Sequence, residues 1–116
     1  MNLKSAAAAF TVGTLSLFGA GTSYTTGHEN HVTRALEHAQ AAFVEGQKDR
    51  PRSAADHARG ALRHAEWAEN IKSDPHITEA ETHLKQAIEH GDMGHAKEAA
   101  EHTQQAVEHL KMAYKL

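Results

Sequence analysis

The 116-residue sequence has no cysteine, two prolines, one tryptophan and only 5% aromatic residues. Without thiols it can form neither a disulfide framework nor a thiolate metal centre, and it offers no lipid-anchor site near its amino terminus. No charge of one sign dominates: 12 Lys and Arg against 15 Asp and Glu give a net charge of −3 with neutral His. The basic residues are scattered among Glu, which argues against a nucleic-acid surface. Long hydrophobic runs are also missing after the first residues. Ala6 to Gly21 is too short and too rich in small residues for a membrane span, and it follows the charged start Met1-Asn2-Leu3-Lys4. It reads as a secretory signal peptide over residues 1–25, with Gly21, Ser23 and Thr25 as possible cleavage points. A single domain over 26–116, exported to a periplasm and leaving no membrane segment after cleavage, is the expectation. There is no His-Glu-x-x-His, no Glu-x-x-His pair, no Gly-rich phosphate loop and no Ser or Cys nucleophile setting, so catalysis is not expected.

Histidine, by contrast, is abundant. Ten of the 11 histidines recur on a seven-residue spacing: His31 and His38; His57 and His64; His76, His83 and His90; His95, His102 and His109. Helicity alone gives no reason for such a recurrence, whereas neutral imidazole is the commonest side-chain ligand for copper, zinc and nickel. From His31 onward the chain also repeats itself with a period of 45 residues, His31-Val32-Thr33 matching His76-Ile77-Thr78 and His57 to His64 matching His102 to His109. Breaks at Gly46 to Pro51, Ser73-Asp74-Pro75 and Gly91 to Gly94 divide it into four helices, at about 29–45, 52–71, 75–90 and 94–114. The runs between are rich in Ala, Glu, Gln, Lys and Leu and lack the alternation of strands. The expected fold is all-α: an antiparallel up-down four-helix bundle made of two duplicated helical hairpins.

Heptad letters assign each face a task. Positions a and d are mostly apolar: Val32, Leu36, Ala39, Phe43; Ala55, Ala58, Leu62, Ala65; Ile77, Leu84, Ile88; Ala96, Ala100, Val107, Leu110, Tyr114. Position g is alanine throughout and position c is histidine, so the imidazoles border the apolar face. Glu81 is a carboxylate at an a position. Residues seven apart on one helix are separated by ~10 Å, too far to share an ion, so ligands must converge between helices. Two arrangements satisfy this. Within hairpins, His38 meets His57, His31 meets His64, His90 meets His95, His83 meets His102 and His76 meets His109. Between hairpins, His64 would face His83 and His57 would face His90. Glu79 and Glu98, four residues before His83 and His102, and Glu37, Asp56, Glu89, Glu101 and Glu108, each next to a His, are candidates to complete or orient the coordination. Met93 and Met112 are weaker thioether candidates for Cu(I), and Trp67 and Tyr114 read as packing residues. If cleavage follows Thr25, Thr26-Gly27-His28 would present an amino-terminal square-planar array for Cu(II) or Ni(II).

The closing Gly27-His28-Glu29-Asn30-His31 motif resembles a known pattern. So do the repeated blocks Ala35-Leu36-Glu37-His38, Ala61-Leu62-Arg63-His64, Ala87-Ile88-Glu89-His90 and Ala106-Val107-Glu108-His109. They are similar to those of the small metal-binding protein family of periplasmic, His-rich copper-binding proteins. The resemblance covers the whole mature chain. It implies a monomer that binds several divalent ions, chiefly Cu(II) with Ni(II) and Zn(II) as alternatives, through the ten stripe histidines plus His28. Glu45 and Arg50 stand where the second half has His90 and His95, and the tail Tyr114-Lys115-Leu116 lacks terminal histidines. Fewer or weaker sites are therefore expected in the first hairpin. The competing expectation is a metal-independent or pH-responsive helical interaction or chaperone-like module.

Overall fold

The computed structural model describes residues 23–114. Four helices follow one another: α1 (Ser23–Gln47), α2 (Pro51–Ile71), α3 (Pro75–Asp92) and α4 (Ala96–Tyr114). Each helix packs against its chain neighbour, and α1 also closes onto α4, which completes an antiparallel four-helix bundle. The expected helices are all present, with ends moved by a few residues. The signal-peptide assignment falls almost wholly outside the described residues. No helix among them is long and apolar enough to cross a membrane.

Local chemistry accounts for the helix ends. Pro51 and Pro75 sit at the first turn, where a missing N–H costs nothing. The Asp74 carboxylate accepts a hydrogen bond from the His76 N–H at 2.8 Å, capping α3. The two hairpin turns are built alike. Arg50 donates its N–H to the Glu45 carbonyl at 2.9 Å, and His95 donates to the His90 carbonyl at 2.8 Å. Asp49 (φ 60°) and Gly94 (φ 85°) take the left-handed conformation that ends each first helix. Both turns therefore set a residue in the last turn of one helix beside the residue just before the next.

The buried face differs from the simple a/d stripe. Positions d and g are almost completely enclosed, whereas Leu36, Leu62 and Ile88 at position a are only partly buried and Tyr114 is 56% exposed. The reason is the alanine flank. With Ala at g, helices of one hairpin approach closely along that side, so the centre of the apolar face moves toward d and g. Position a is left on the seam between hairpins. Of the 21 buried apolar residues among the described residues, 16 are alanines, so each contributes little burial and the core is thin.

The hairpins join through close backbone approach. A Cβ placed on Gly46 would stand 2.9 Å from the Ala100 Cβ; on its repeat counterpart Gly91 it would stand 2.7 Å from the Pro51 carbonyl and 2.8 Å from the Ala55 Cβ. Each neighbour is backbone or an alanine methyl, so neither can yield cheaply. The two hairpin-to-hairpin seams have nonetheless diverged. Between α1 and α4 lies a groove of about 500 Å³ lined by Phe43, Gly46, Ala96 and Ala100. Between α2 and α3 the counterpart is crossed by the Arg59–Asp92 ion pair.

Glu81 lies on the α2–α3 seam with one carboxylate oxygen buried and without a hydrogen-bond partner. Burial raises its pKa above the ordinary 4.5, and the charges of Glu69 and Glu66 push it further. A carboxyl raised in this way favours the folded state below its ordinary pKa, and that contribution is lost as pH climbs through the folded value. At neutral pH the charge is a burden. Glu81→Gln is therefore expected to raise the melting temperature at pH 7 by on the order of a few degrees and to change it little at pH 4, as followed by circular dichroism. Gly91→Ala, although favourable for helix propensity by up to ~1 kcal/mol, is expected to destabilise by about 1–3 kcal/mol in urea titrations because its methyl has no room.

Candidate metal centre

The bundle brings the histidine flanks together inside each hairpin, and the within-hairpin levels are the ones adopted. His31 Nδ1 lies 2.9 Å from His64 Nδ1, His83 Nδ1 lies 3.4 Å from His102 Nδ1, and His90 Nδ1 lies 3.4 Å from His95 Nδ1. His38 faces His57 with ring centroids 6.0 Å apart, and His76 faces His109 at 5.9 Å. Diagonal contacts link these levels. His64 stacks on His38 at 5.8 Å, His83 on His109 at 5.7 Å and His90 on His102 at 5.4 Å. The result is two ladders, of four rings on α1–α2 and six on α3–α4.

Helix geometry explains the ladder. Antiparallel helices that approach on alanine bring their c positions to the same edge, and rings staggered from the two sides alternate along it. Every stripe histidine is half-buried except His95, which is exposed at the turn. The spacings are chemically informative. Nitrogens bound at about 2.1 Å to one tetrahedral ion stand about 3.4 Å apart, close to the His83–His102 and His90–His95 separations. Where two Nδ1 atoms face each other without an ion, one must carry the proton and the other accept it.

A third ligand type enters at one place. Glu79, His83 and His109 each offer a ligand atom within 4.8 Å of the other two. Glu79 stands one helical turn before His83, as its spacing implied. His109 Nδ1 is buried without a hydrogen-bond partner, so its lone pair or proton is unspent. Glu98, the analogous carboxylate before His102, joins no such group among the described residues. Glu37, Asp56, Glu89, Glu101 and Glu108 point to solvent. Asp56 is engaged with Arg59 at 3.3 Å. Met93 and Met112 are 56% and 42% exposed.

His28 stands apart from the ladders. It occupies a g position of α1, among the alanines, with Nε2 buried and unpartnered. The adjoining Gly27 packs against Ile71 at the end of α2. Residues 26–28 are helical here, whereas an amino-terminal square-planar array needs those amides free of the helix. Trp67, read as a packing residue, is 60% exposed and stacks on His31 with centroids 5.1 Å apart, closing the α1–α2 ladder at that end.

The first hairpin contains features that spacing alone did not expose. Glu45 and Arg50, the counterparts of His90 and His95, form an ion pair at 3.4 Å across the equivalent turn. The place of a third imidazole pair is taken by opposite charges. Gly60 lies under the His38 ring, whose atoms would stand 3.0–3.2 Å from an added Cβ. Its signal in the sequence was a glycine in mid-helix, costly by ~1 kcal/mol and thus in need of a packing reason.

Electrostatics favour neutral rings in both seams. His64 has its pKa lowered by burial first, then by His31, His38, Arg34 and Arg63. His102 is lowered by burial and by His83 and His90, opposed by Glu101. A neutral imidazole is the form that binds metal.

An all-helical bundle with histidine ladders on two seams and a carboxylate beside one of them defines a metal-binding helical protein. The family model of the small metal-binding proteins matches residues 4–113, and the chain belongs to that family. No curated protein matches the sequence. Membership points to a binding protein rather than a catalyst.

A lowered histidine pKa means that the unfolded chain takes up the proton first. The stabilisation from His64 and His102 is complete above 6.5 and is lost as pH falls through that value toward the folded pKa. The metal-free protein should accordingly melt at lower temperature at pH 5 than at pH 7. His64→Gln and His102→Gln should each flatten that dependence, as measured by thermal scans across the range.

Proposed function

We propose that the protein is an exported, monomeric buffer or store for divalent transition ions, chiefly copper as Cu(II), with Zn(II) and Ni(II) as weaker cargo. The observation that carries this reading is the pair of imidazole ladders, in which facing nitrogens on the α3–α4 seam stand at spacings suited to a shared ion. Family membership supports metal binding as such. The preference for copper rests on donor chemistry: imidazole sites without thiolates follow the order in which Cu(II) exceeds Ni(II) and Zn(II). A periplasmic setting rests on the signal-peptide reading of residues 1–25. The ten stripe histidines are the proposed ligands, and His28 is a further candidate once a free amino terminus lies beside it.

Several ions held between helices also fit a buffer, since each crosslinks two helices of one hairpin and requires no special substrate pocket. The test is titration of the mature, exported protein with each ion while stoichiometry and melting temperature are followed. An ion at about 100 times its Kd adds about 2.7 kcal/mol per site to a protein that binds it only when folded. Copper should therefore give the largest stabilisation, and the gain should vanish below about pH 5 as imidazoles protonate. Replacement of the ten stripe histidines by Gln should abolish the stabilisation and leave at most the single ion assigned to His28. Stabilisation that survives this replacement would overturn the reading and favour a metal-independent interaction module.

A further inference from the structure

The two ladders are built on the same scaffold but not with the same charges. On α3–α4, Glu79 lies beside His83 and His109, forming the one group of three candidate ligands at metal-binding spacing among the described residues. Moving by the 45-residue repeat, the corresponding residues of α1–α2 are Arg34, His38 and His64. A guanidinium stands where the carboxylate would be. Arg34 and Arg63 both lie near enough to His64 for their positive charge to act on that ring. Arg63 in turn occupies the place of Glu108. Arg50, paired with Glu45, replaces His95 at the turn.

Each difference acts in one direction. A carboxylate supplies both an oxygen ligand and a charge opposite to the ion, while a guanidinium supplies no ligand atom and the same charge as the ion. His109, a member of the α3–α4 group, keeps a buried Nδ1 that no hydrogen bond engages. By contrast, His64 Nδ1 is engaged at 2.9 Å with His31, and His38 is seated over Gly60. His64 is thus less ready than its counterpart His109 to turn toward an ion.

We infer that the seams fill in order. The first divalent ion enters at Glu79, His83 and His109, and the α1–α2 seam is occupied only at higher ion concentration. This rests on the metal-binding reading above and adds to it a defined first site, made of two imidazoles and one carboxylate. Such a donor set suits borderline divalent ions and not Cu(I), which prefers sulfur. The protein then operates over two concentration ranges, a tight α3–α4 seam and a weaker α1–α2 reserve.

Zinc is the probe, because its closed shell leaves NMR lines sharp and does not quench fluorescence at a distance. Trp67, the only tryptophan, stacks on His31 and reports the α1–α2 seam alone. In a Zn(II) titration of the mature, exported chain, the first equivalent should shift the imidazole resonances of His83 and His109. Trp67 emission and the His38 and His64 resonances should respond only to later equivalents. Glu79→Gln should weaken the first step by about tenfold or more, since it removes the charge opposite the ion. Arg34→Glu should create the missing carboxylate in the first hairpin, so that Trp67 emission now responds from the first additions. Both positions are exposed, so neither change disturbs the core. Simultaneous shifts in both seams of the parent protein, or a Trp67 response unaltered by Arg34→Glu, would overturn the ordered filling while leaving metal binding intact. No imidazole shift at any zinc ratio would overturn both.

Discussion

The structure depends on the contact between alanine flanks inside each hairpin. Ala35, Ala42, Ala54, Ala61 and Ala68 in the first hairpin, and Ala80, Ala87, Ala99, Ala106 and Ala113 in the second, are buried almost without remainder. Side chains this small let paired helices approach near the lower end of the usual interaxial range. Imidazoles on the adjoining c positions then reach one another across the edge. Larger residues at g would separate the axes, and the rings would point past each other into water. The same choice that makes the ladders also makes the core thin, because alanine buries little surface.

Thin packing ties stability to the state of the rings. Neutral imidazoles can share protons or ions along an edge, whereas neighbouring imidazolium groups repel. Burial and mutual charge lower the pKa of His64 and His102, each of which contacts two other rings of its ladder. The unbound bundle is thus at its best with neutral rings, which is also the state an ion requires. An ion between two helices would add a crosslink to a scaffold with few large side chains in its core. Glu81 works in the opposite sense, one of its carboxylate oxygens buried without a hydrogen-bond partner and the group facing the charges of Glu69 and Glu66, with Lys85 opposing them.

Duplication produced two equivalent frames, and later substitution made them unequal without altering the backbone. The turns remain superposable in their hydrogen bonds although Asp49 replaces Gly94. Across one turn stand His90 and His95; across the other, Glu45 and Arg50. The first hairpin ends in a stacked Trp67 where the second has Met112. One hairpin-to-hairpin seam is crossed by Arg59 and Asp92 while the other keeps an open groove beside Phe43. These exchanges sit on the surface of a common core, where they change charge and ligand supply at little cost to packing.

The seven-residue recurrence of histidine, the alanine flank and the 45-residue repeat were sufficient to determine four helices, their antiparallel order, and a common edge for the imidazoles. These are properties of local periodicity and short connections, which a chain carries in its own order. Heptad position also gave the correct level of each ring within a hairpin. It left open whether the histidine edges would meet within hairpins or between them, since a short turn permits a bundle of either hand. Tertiary packing decided that, through alanine seams within hairpins and the close seating of Gly46 on α4 and Gly91 on α2. The exposure of Trp67 and Tyr114, the orphaned carboxylate of Glu81 and the position of His28 away from the ladders followed from the same decision. Each depends on which helix lies opposite, and that is a matter of three-dimensional neighbours rather than of spacing along the chain.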